Sequence, residues 1–270
     1  MGFFRDFIEF YKKRRETPPE QTPPRQALPK HEPEIMEAAF PLSEPELAEW
    51  AKHLEAHTTY SSLERETLER YIEDAFGPIA RTYYDADREG MRVDIAVTEP
   101  SEERRYYTLA TIGMGAHRMQ VPKALEERNA AFAELCVCLP PDWDFVNDSW
   151  PFHLLKTTAR FPFSSHNMLG VGNAYHGAVA RDSGFAGAFV IPAVTQHQVS
   201  TRLMLPGGKI VNYYLLLPLY EAEWQYITRR QDAAAFWEHY TERIGSIVVD
   251  PERESCVDET ETEEEDEWNI

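Results

Sequence analysis

Four histidines are the side chains of this sequence best suited to bind a metal or transfer a proton. They are His117, His166, His176 and His197, and all fall in or near segments that the sequence predicts as loops. Their spacing matches no zinc motif such as H-E-x-x-H or paired C-x-x-C. We therefore predict no metal site.

The glycine pairs in GMGAH (113–117) and GVGN (170–173) have the shape of a nucleophile elbow. Neither pair encloses the Ser, Cys or Thr that would act as nucleophile. Neither is followed by the third glycine that opens a helix in dinucleotide-binding proteins. We predict no catalytic residue and no cofactor, and keep as an alternative an enzyme of unrecognised type that uses His166 or His176 with Asp94.

Several charged residues lie at positions that indicate a structural role and not a catalytic one. Asp94 falls on the more polar face of a predicted strand, where it could make a charged pair with Arg128 or Glu134 near the sheet, and a structural ion pair is the favoured role. Lys156 and Arg160 are four residues apart on a predicted helix. They form either an anion-facing pair or two cations on a solvated face.

The net charge indicates which kind of partner to expect, and the cysteines indicate which cellular compartment. A formal net charge of -19 argues against nucleic acid and suits a basic protein partner. Three cysteines, two of them two apart on one strand face, cannot form a disulfide framework and favour a reducing compartment. No signal peptide and no apolar run of roughly 18–20 residues is present. We expect a cytoplasmic protein without a membrane span.

Composition divides the chain into four parts. Residues 1–16 have helical apolar spacing and predict an amphipathic helix, and the proline-rich residues 17–42 predict an extended linker. Residues 43–249 carry the patterns of a folded domain. Residues 250–270, which include DETETEEEDEWNI, predict an acidic, disordered tail.

Capping residues mark the helices of the domain. Ser43 begins one that reaches about His57, and Ser61 or Ser62 begins a second that ends at Gly77. A third runs from the Asp148–Ser149 region to Arg160, followed by a long loop over residues 161–184. Two more are expected over Leu219–Arg230 and Asp232–Ile244.

Apolar alternation and turn residues predict the strands. They fall in MRVDIAV (91–97), Tyr106–Ile112, Phe132–Leu139, Ala188–Ile191, Thr201–Leu205 and Ile210–Leu217. Strands and helices come in blocks without regular βαβ alternation. The fold class is therefore α+β, with one domain whose mixed or antiparallel central sheet is flanked by helices.

The connection between the second and third of these strands has two interpretations. Its Gly113, Gly115, Met114 and Met119 form either an adaptable binding loop or a tight crossover whose methionines fill the core. In the first case the two longest connections supply the partner-binding surface. The predicted contact residues are Met114, His117, Met119, His166, Asn167 and His176, with Asp142 and Asp144 at the rim.

Six collinear blocks resemble the bacterial form of the suppressor-of-fused domain family. They are VDIAV, YYTLATIGMGAHRMQVP, ERNAAFAELCVCLPPDW, WPFHLLKTTARFP, NMLGVGN and NYYLLLPLYEAEW, and the resemblance covers about residues 59–230. It implies a single α+β domain without a known catalytic centre. The animal relative is an adaptor that holds a transcription factor with the help of a second, C-terminal domain. After Gly245 this sequence contains a short apolar segment and the acidic tail, so we do not expect the partner-clamping mechanism to carry over whole.

The resemblance also implies a binding role. Bacterial members resemble immunity proteins that neutralise toxins in polymorphic toxin systems. We therefore expect a non-enzymatic protein-binding domain whose partner is a basic toxin domain. The alternative is an adaptor or scaffold that binds another cellular protein. The sequence does not specify the oligomeric state.

Overall fold

The computed structural model describes residues 59–85, 91–146, 149–165, 168–177 and 183–258. All of them belong to the second of two compact units of the chain, which spans His57–Ile270. The N-terminal helix, the linker, the helix expected over residues 43–57, the tail beyond residue 258, and His166 and Asn167 lie outside the described residues.

Within the described residues, eight strands form one sheet in the order β1-β2-β3-β4-β8-β6-β5, and β7 pairs with the start of β8. The pairing of β4 with β8 is parallel and the other pairings are antiparallel. The strands are β1 (Ile79–Tyr83), β2 (Asp94–Thr98), β3 (Tyr107–Ile112), β4 (Ala133–Leu139), β5 (Ala174–His176), β6 (Gly187–Pro192), β7 (Arg202–Met204) and β8 (Ile210–Leu219).

Helices cover both faces of the sheet. The helices are α1 (Ser62–Phe76), the short α2 (Lys123–Glu126), α3 (Trp150–Ser165), α4 (Glu221–Arg230) and α5 (Ala233–Arg243). Apolar residues of α1, α4 and α5 form one core cluster with one face, and those of α3 form a second cluster with the other face. Because both faces are covered, every residue of β4 is buried. The predicted α+β class with a mixed sheet is confirmed.

The start of α1 follows the predicted capping chemistry. The Ser61 hydroxyl accepts a hydrogen bond from the Glu64 amide, and the Glu64 carboxylate accepts one from the Ser61 amide. This reciprocal pair satisfies two amides that the first turn leaves without helical partners. At the other end, Gly77 takes a positive φ of 99° and stops the helix.

Helix α3 is longer than its sequence pattern predicts. It continues past Arg160 and through Pro162 to Ser165. The aromatic side chains on either side of the proline have tertiary partners, since Phe161 contacts the Tyr175 ring and Phe163 contacts the His117 ring. These contacts offset the hydrogen bond that proline removes. The expected loop over residues 161–184 therefore begins with helix and contains strand β5.

The packed chain extends past the expected domain boundary at residue 249. Cys256 and Val257 are buried in the same cluster as α4 and α5. Just before these residues, the Val249 amide donates to the Cys138 carbonyl and joins the chain to β4. We call residues 250–258 the C-terminal segment, and among the described residues it belongs to the fold.

No helix in the described part of the chain has the length and the apolar character that crossing a membrane requires.

Candidate binding surface at one end of the sheet

The site is built where β3 ends and β4 begins. Residues 113–132 connect these two strands, and we call this part of the molecule the β3–β4 end. The start of β2 lies here, because Asp94 pairs with Ile112 in the sheet. The last turns of α3 lie here as well, because Phe163 contacts His117.

A buried carboxylate, Glu134, organises this end. Its Oε1 accepts hydrogen bonds from the Tyr60 hydroxyl at 2.8 Å, the Gly113 amide at 2.9 Å and the Gly115 amide at 3.0 Å. Its Oε2 accepts one from the Thr111 hydroxyl at 2.6 Å. Four donors thus satisfy a carboxylate that is fully buried, as a buried charged group requires.

The two glycines are needed because the backbone passes so close to its neighbours. Gly113 has a φ of 142°, and a Cβ on it would lie 2.1 Å from the Arg92 carbonyl oxygen. A Cβ on Gly115 would lie 2.3 Å from the Tyr60 hydroxyl. Glycine therefore lets both amides reach Glu134.

Burial raises the pKa of Glu134 above its ordinary value. The desolvation of the carboxylate is the largest cause, and the hydrogen bonds from Thr111, Gly113, Gly115 and Tyr60 act in the opposite direction. The group is enclosed and already has its partners. Its role in this geometry is to hold the 113–115 turn against β4.

The expectation that Met114 and Met119 form an exposed, adaptable contact loop does not match their burial, although Met119 borders the shallow hollow described below. Met114 is fully buried and Met119 is 1% exposed, and both belong to the core cluster under α3. The alternative interpretation of the connection, a tight crossover whose methionines fill the core, is the one observed. The reason is that the Glu134 hydrogen bonds draw the turn inward.

A shallow hollow opens beside this turn. It has a volume of about 560 Å³ and is lined by Arg118, Met119, Gln120, Val121, Pro122, Glu126 and Met168. Met168 comes from the second long connection, so the structure brings together two loops that the sequence predicts as one surface. His117 is half-buried near this hollow, with its ring on Phe163.

A second, more polar hollow lies at the same end. It has a volume of about 180 Å³ and is lined by Thr59, Tyr60, Arg65, Arg92, Asp94, Ile112 and Gly113. Asp94, 1% exposed, binds Arg65 at 2.7 Å and Arg92 at 2.9 Å. The expected pairing of Asp94 with Arg128 or Glu134 is therefore wrong, because α1 and the start of β2 supply the cations instead.

Asp85 likewise binds two cations, and in this case both come from α3. Its carboxylate binds Lys156 at 3.0 Å and Arg160 at 2.5 Å, and it accepts a hydrogen bond from the Val93 amide. Of the two interpretations of Lys156 and Arg160, the anion-facing pair is observed. The anion belongs to the protein itself, so this pair ties α3 to the sheet.

Three other predicted contact residues lie at the opposite end. Asp142 and Asp144 are exposed and follow the C-terminal end of β4. His176 is exposed at the end of β5, where its Nε2 lies 2.9 Å from a Glu221 carboxylate oxygen and its ring centroid lies 4.4 Å from that of Trp224. They do not border the hollows at the β3–β4 end.

The proposed pairing of Asp94 with His176 in an active site is not observed. In the sheet order, five strand spacings separate β2 from β5, or about 24 Å at roughly 4.8 Å each. The two residues also lie at opposite ends of their strands. The described residues contain no group of His, Cys, Asp and Glu that could hold a metal ion.

The sequence contained one signal for the structural role of Glu134, which is predicted above only as a partner of Asp94. Glu134 is the one charged residue in AELCVCL, the sequence of the wholly buried β4. A charge on a strand with both faces covered must have a satisfied, specific environment. Its partners Tyr60 and Thr111 gave no such signal, because exposed tyrosines and threonines are common.

Comparisons with known proteins find this fold among solved structures. A search of curated proteins gives no match. Among solved structures, the Sufu–Fu complex has a similar chain with a TM-score of 0.50 and 12% identity, covering 71% of this chain and 90% of that one. At this identity the likeness shows the fold alone.

Two further solved structures are similar at lower scores. Drosophila Suppressor of Fused gives a TM-score of 0.42 and 14% identity over 62% of this chain and 43% of that protein. A SUFU homologue from Neisseria gonorrhoeae gives a TM-score of 0.46 and 13% identity over 73% of this chain and 97% of that one.

The sequence itself supplies the stronger finding. The profile of the family described as Suppressor of fused protein (SUFU) matches residues 90–254, which is more than half of the 270 residues. The matched region runs from the start of β2 through α5 into the C-terminal segment. The chain belongs to the suppressor of fused protein family.

Proposed function

We propose that this protein is a non-enzymatic protein-binding domain that acts as an immunity protein in a bacterial polymorphic toxin system. Its partner would be a basic toxin domain, which it covers or whose active site it occludes. It would work in the cytoplasm, where its three cysteines, all free and buried, stay reduced.

The shallow hollow at the β3–β4 end is the observation that carries this proposal. Two long connections meet there, with Val121 on one of them and Met168, 47 residues later in the sequence, on the other. Shallow surfaces of mixed polar and apolar character suit a protein partner, whereas a small-molecule site is usually deep and encloses its ligand. The buried Glu134 network holds one of the two connections in place.

Family membership and charge support a binding role. A structure similar to this one was solved as a complex of Sufu with Fu, so the fold is compatible with holding another protein. A net charge of -19 speeds the encounter with a basic partner and disfavours an acidic one.

Co-expression with a toxin encoded beside its gene tests the proposal. We expect the wild-type protein to restore growth and to form a stable complex with the toxin. The Val121→Arg variant, which places a long charged side chain at the hollow, should lose at least about tenfold in affinity. Val146→Arg is the matched control, because Val146 is an 88% exposed apolar residue at the opposite end of the sheet.

Two results would count against this role. Growth that stays inhibited despite a well-folded wild-type protein would contradict neutralisation. Equal loss of binding in Val121→Arg and Val146→Arg would contradict the assignment of the hollow. A stable complex with a non-toxic protein through the same hollow would favour the adaptor role instead.

A further inference from the structure

The polar hollow at the β3–β4 end contains arginine donors that no other described residue accepts from. Arg65 enters it from α1 and Arg92 from the residues before β2, and the hollow measures about 180 Å³. This volume suits one small functional group. It is separate from the shallow hollow, with which it shares no lining residue.

Asp94 fixes the orientation of both arginines. Its Oδ2 accepts from Arg65 Nη1 at 2.7 Å, and its Oδ1 accepts from Arg92 Nε at 2.9 Å and from the Asp85 amide at 2.9 Å. Burial opposes ionisation of Asp94, but the hydrogen bonds from Arg92, Asp85 and Arg65 outweigh it and hold its pKa below the ordinary value. The carboxylate is thus a fixed anion behind the hollow.

Within the described residues, no protein atom accepts a hydrogen bond from the remaining nitrogens of the two guanidinium groups. Arg65 Nη2 is buried and has no hydrogen-bond partner, although Arg65 Nε binds Glu69 at 2.9 Å. Arg92 is 43% exposed, and within the described residues its hydrogen bonds and ion pair involve only Nε. A buried donor without an acceptor is unfavourable, and an acceptor oxygen at Arg65 Nη2 would relieve this cost.

An exposed aromatic ring lies against the same two arginines. Tyr84 is 66% exposed, and its ring centroid is 5.7 Å from the guanidinium carbon of both Arg65 and Arg92. Stacking of this kind restrains arginine side chains and leaves their edges free for hydrogen bonds. The donors are therefore held in place before any ligand arrives.

We propose that this hollow is a binding site for a carboxylate group, held by the free donors of Arg92 and Arg65 with Asp94 as the orienting residue. A planar, singly charged carboxylate matches the guanidinium fork. A phosphate dianion fits less well, because Asp94 and the Arg65-bound Glu69 already balance the two cations. The carboxylate would come from a small organic acid or from the end of a peptide.

Nuclear magnetic resonance of arginine-labelled full-length protein tests the site. The probes are propionate, the dipeptide N-acetyl-alanyl-alanine with a free carboxylate, the amide of that dipeptide, and inorganic phosphate. We expect saturable shifts of the Arg65 and Arg92 Nε–H signals with propionate and the free dipeptide, and none with the amide. Tighter binding of the dipeptide than of propionate would identify a peptide end as the ligand, and equal binding a small acid.

Substitutions of the arginines test which side chain donates hydrogen bonds to the carboxylate. Arg92→Ala should lower carboxylate affinity at least about tenfold, and Arg92→Lys should fall between it and wild type because lysine cannot form the fork. Arg70→Ala is the control, since Arg70 is a 70% exposed arginine of α1 that does not line the hollow. No saturable shift, tighter binding of phosphate than of carboxylate, or unchanged affinity in a folded Arg92→Ala variant would each overturn the proposal.

Discussion

At the scale of single residues, two buried glutamates hold distant parts of this chain together. Glu134 joins Tyr60, two residues before the start of α1, to the turn after β3. Glu223 of α4 holds the C-terminal segment through Arg253, whose Nη1 and Nη2 lie 2.5 Å and 2.7 Å from its two carboxylate oxygens. Both are 0% exposed, so their hydrogen bonds are made in a surrounding of low dielectric and are specific as well as strong.

The raised pKa of Glu134 predicts a particular pH dependence. A group with a higher pKa in the folded than in the unfolded state stabilises below its unfolded pKa, about 4.3 for Glu, and this contribution is lost as pH rises through the folded pKa. The free energy of unfolding of wild type should therefore fall relative to that of Glu134→Gln as pH rises over this interval. Urea unfolding at a series of pH values measures the difference.

The Glu66→Gln variant controls for the change in total charge, because Glu66 is 65% exposed on α1. A wild-type advantage over Glu134→Gln that grows with rising pH would contradict the prediction.

Removing Arg253 should be much more costly than removing a surface arginine. Arg253→Met leaves Glu223 buried without its cation, which we expect to lower the free energy of unfolding by about 3–5 kcal/mol. Arg243→Met, which breaks the exposed pair with Asp258, should cost no more than about 1 kcal/mol. Denaturant unfolding measures the free energy of unfolding of both variants. Equal losses would show that breaking the buried pair costs no more than breaking the exposed one.

At the scale of elements, two short segments stabilise the fold: the 113–115 turn and the C-terminal segment. The turn has little space around its glycines. The C-terminal segment packs Arg253 against the Tyr220 ring at 4.6 Å and buries Cys256 and Val257. A buried carboxylate binds each of them, because Glu134 accepts from the Gly113 and Gly115 amides and Glu223 accepts from Arg253 and the Cys256 amide.

The crowding at Gly115 predicts a specific rescue. Gly115→Ala should lower the free energy of unfolding by about 1–3 kcal/mol, because the new Cβ would lie 2.3 Å from the Tyr60 hydroxyl. Adding Tyr60→Phe should recover part of this loss by removing the clashing oxygen. Thermal or urea unfolding of the single and double variants measures the coupling.

Gly170→Ala is the matched control, because its Cβ would meet only the flexible end of Met168 at 3.3 Å and Asn173 at 3.5 Å. Strictly additive effects of Gly115→Ala and Tyr60→Phe would show that the hydroxyl is not the obstacle.

At the scale of the whole molecule, charge and topology serve different purposes. The charge of -19 acts over distances beyond any one contact and affects encounter rates and solubility. The mixed sheet, covered by helices on both faces, supplies the rigid support from which the two loops of the shallow hollow extend. We therefore expect salt to change mainly the association rate constant of the complex. Substitutions in the shallow hollow should change mainly its dissociation rate constant.

With the proposed basic partner, the effect of charge can be measured as the salt dependence of the association rate constant. Raising the ionic strength from about 0.1 M to 1 M shortens the Debye length from about 10 Å to about 3 Å. We expect the association rate constant with the toxin to fall at least about tenfold, with a smaller change in the dissociation rate constant. Surface plasmon resonance measures both, and an association rate constant that does not depend on salt would exclude electrostatic steering.

The sequence by itself determined the fold class and most of the secondary structure. Strands such as β4 and helices such as α1 are marked by apolar periodicity and capping residues, which are local properties of the chain. The six blocks of family resemblance carry the same information, and family membership is confirmed. The continuation of α3 through Pro162 was missed, because the contacts of Phe161 and Phe163 that favour it are tertiary.

Only the tertiary structure decided which charged and polar groups meet. Tyr60 and Glu134 are 74 residues apart in sequence, and Arg65 and Asp94 are 29 apart. Periodicity tells which face of an element is buried, but not which distant side chain will satisfy a buried charge there. That choice depends on the path of the whole chain, which placed Met114 and Met119 in the core and the arginines at the polar hollow.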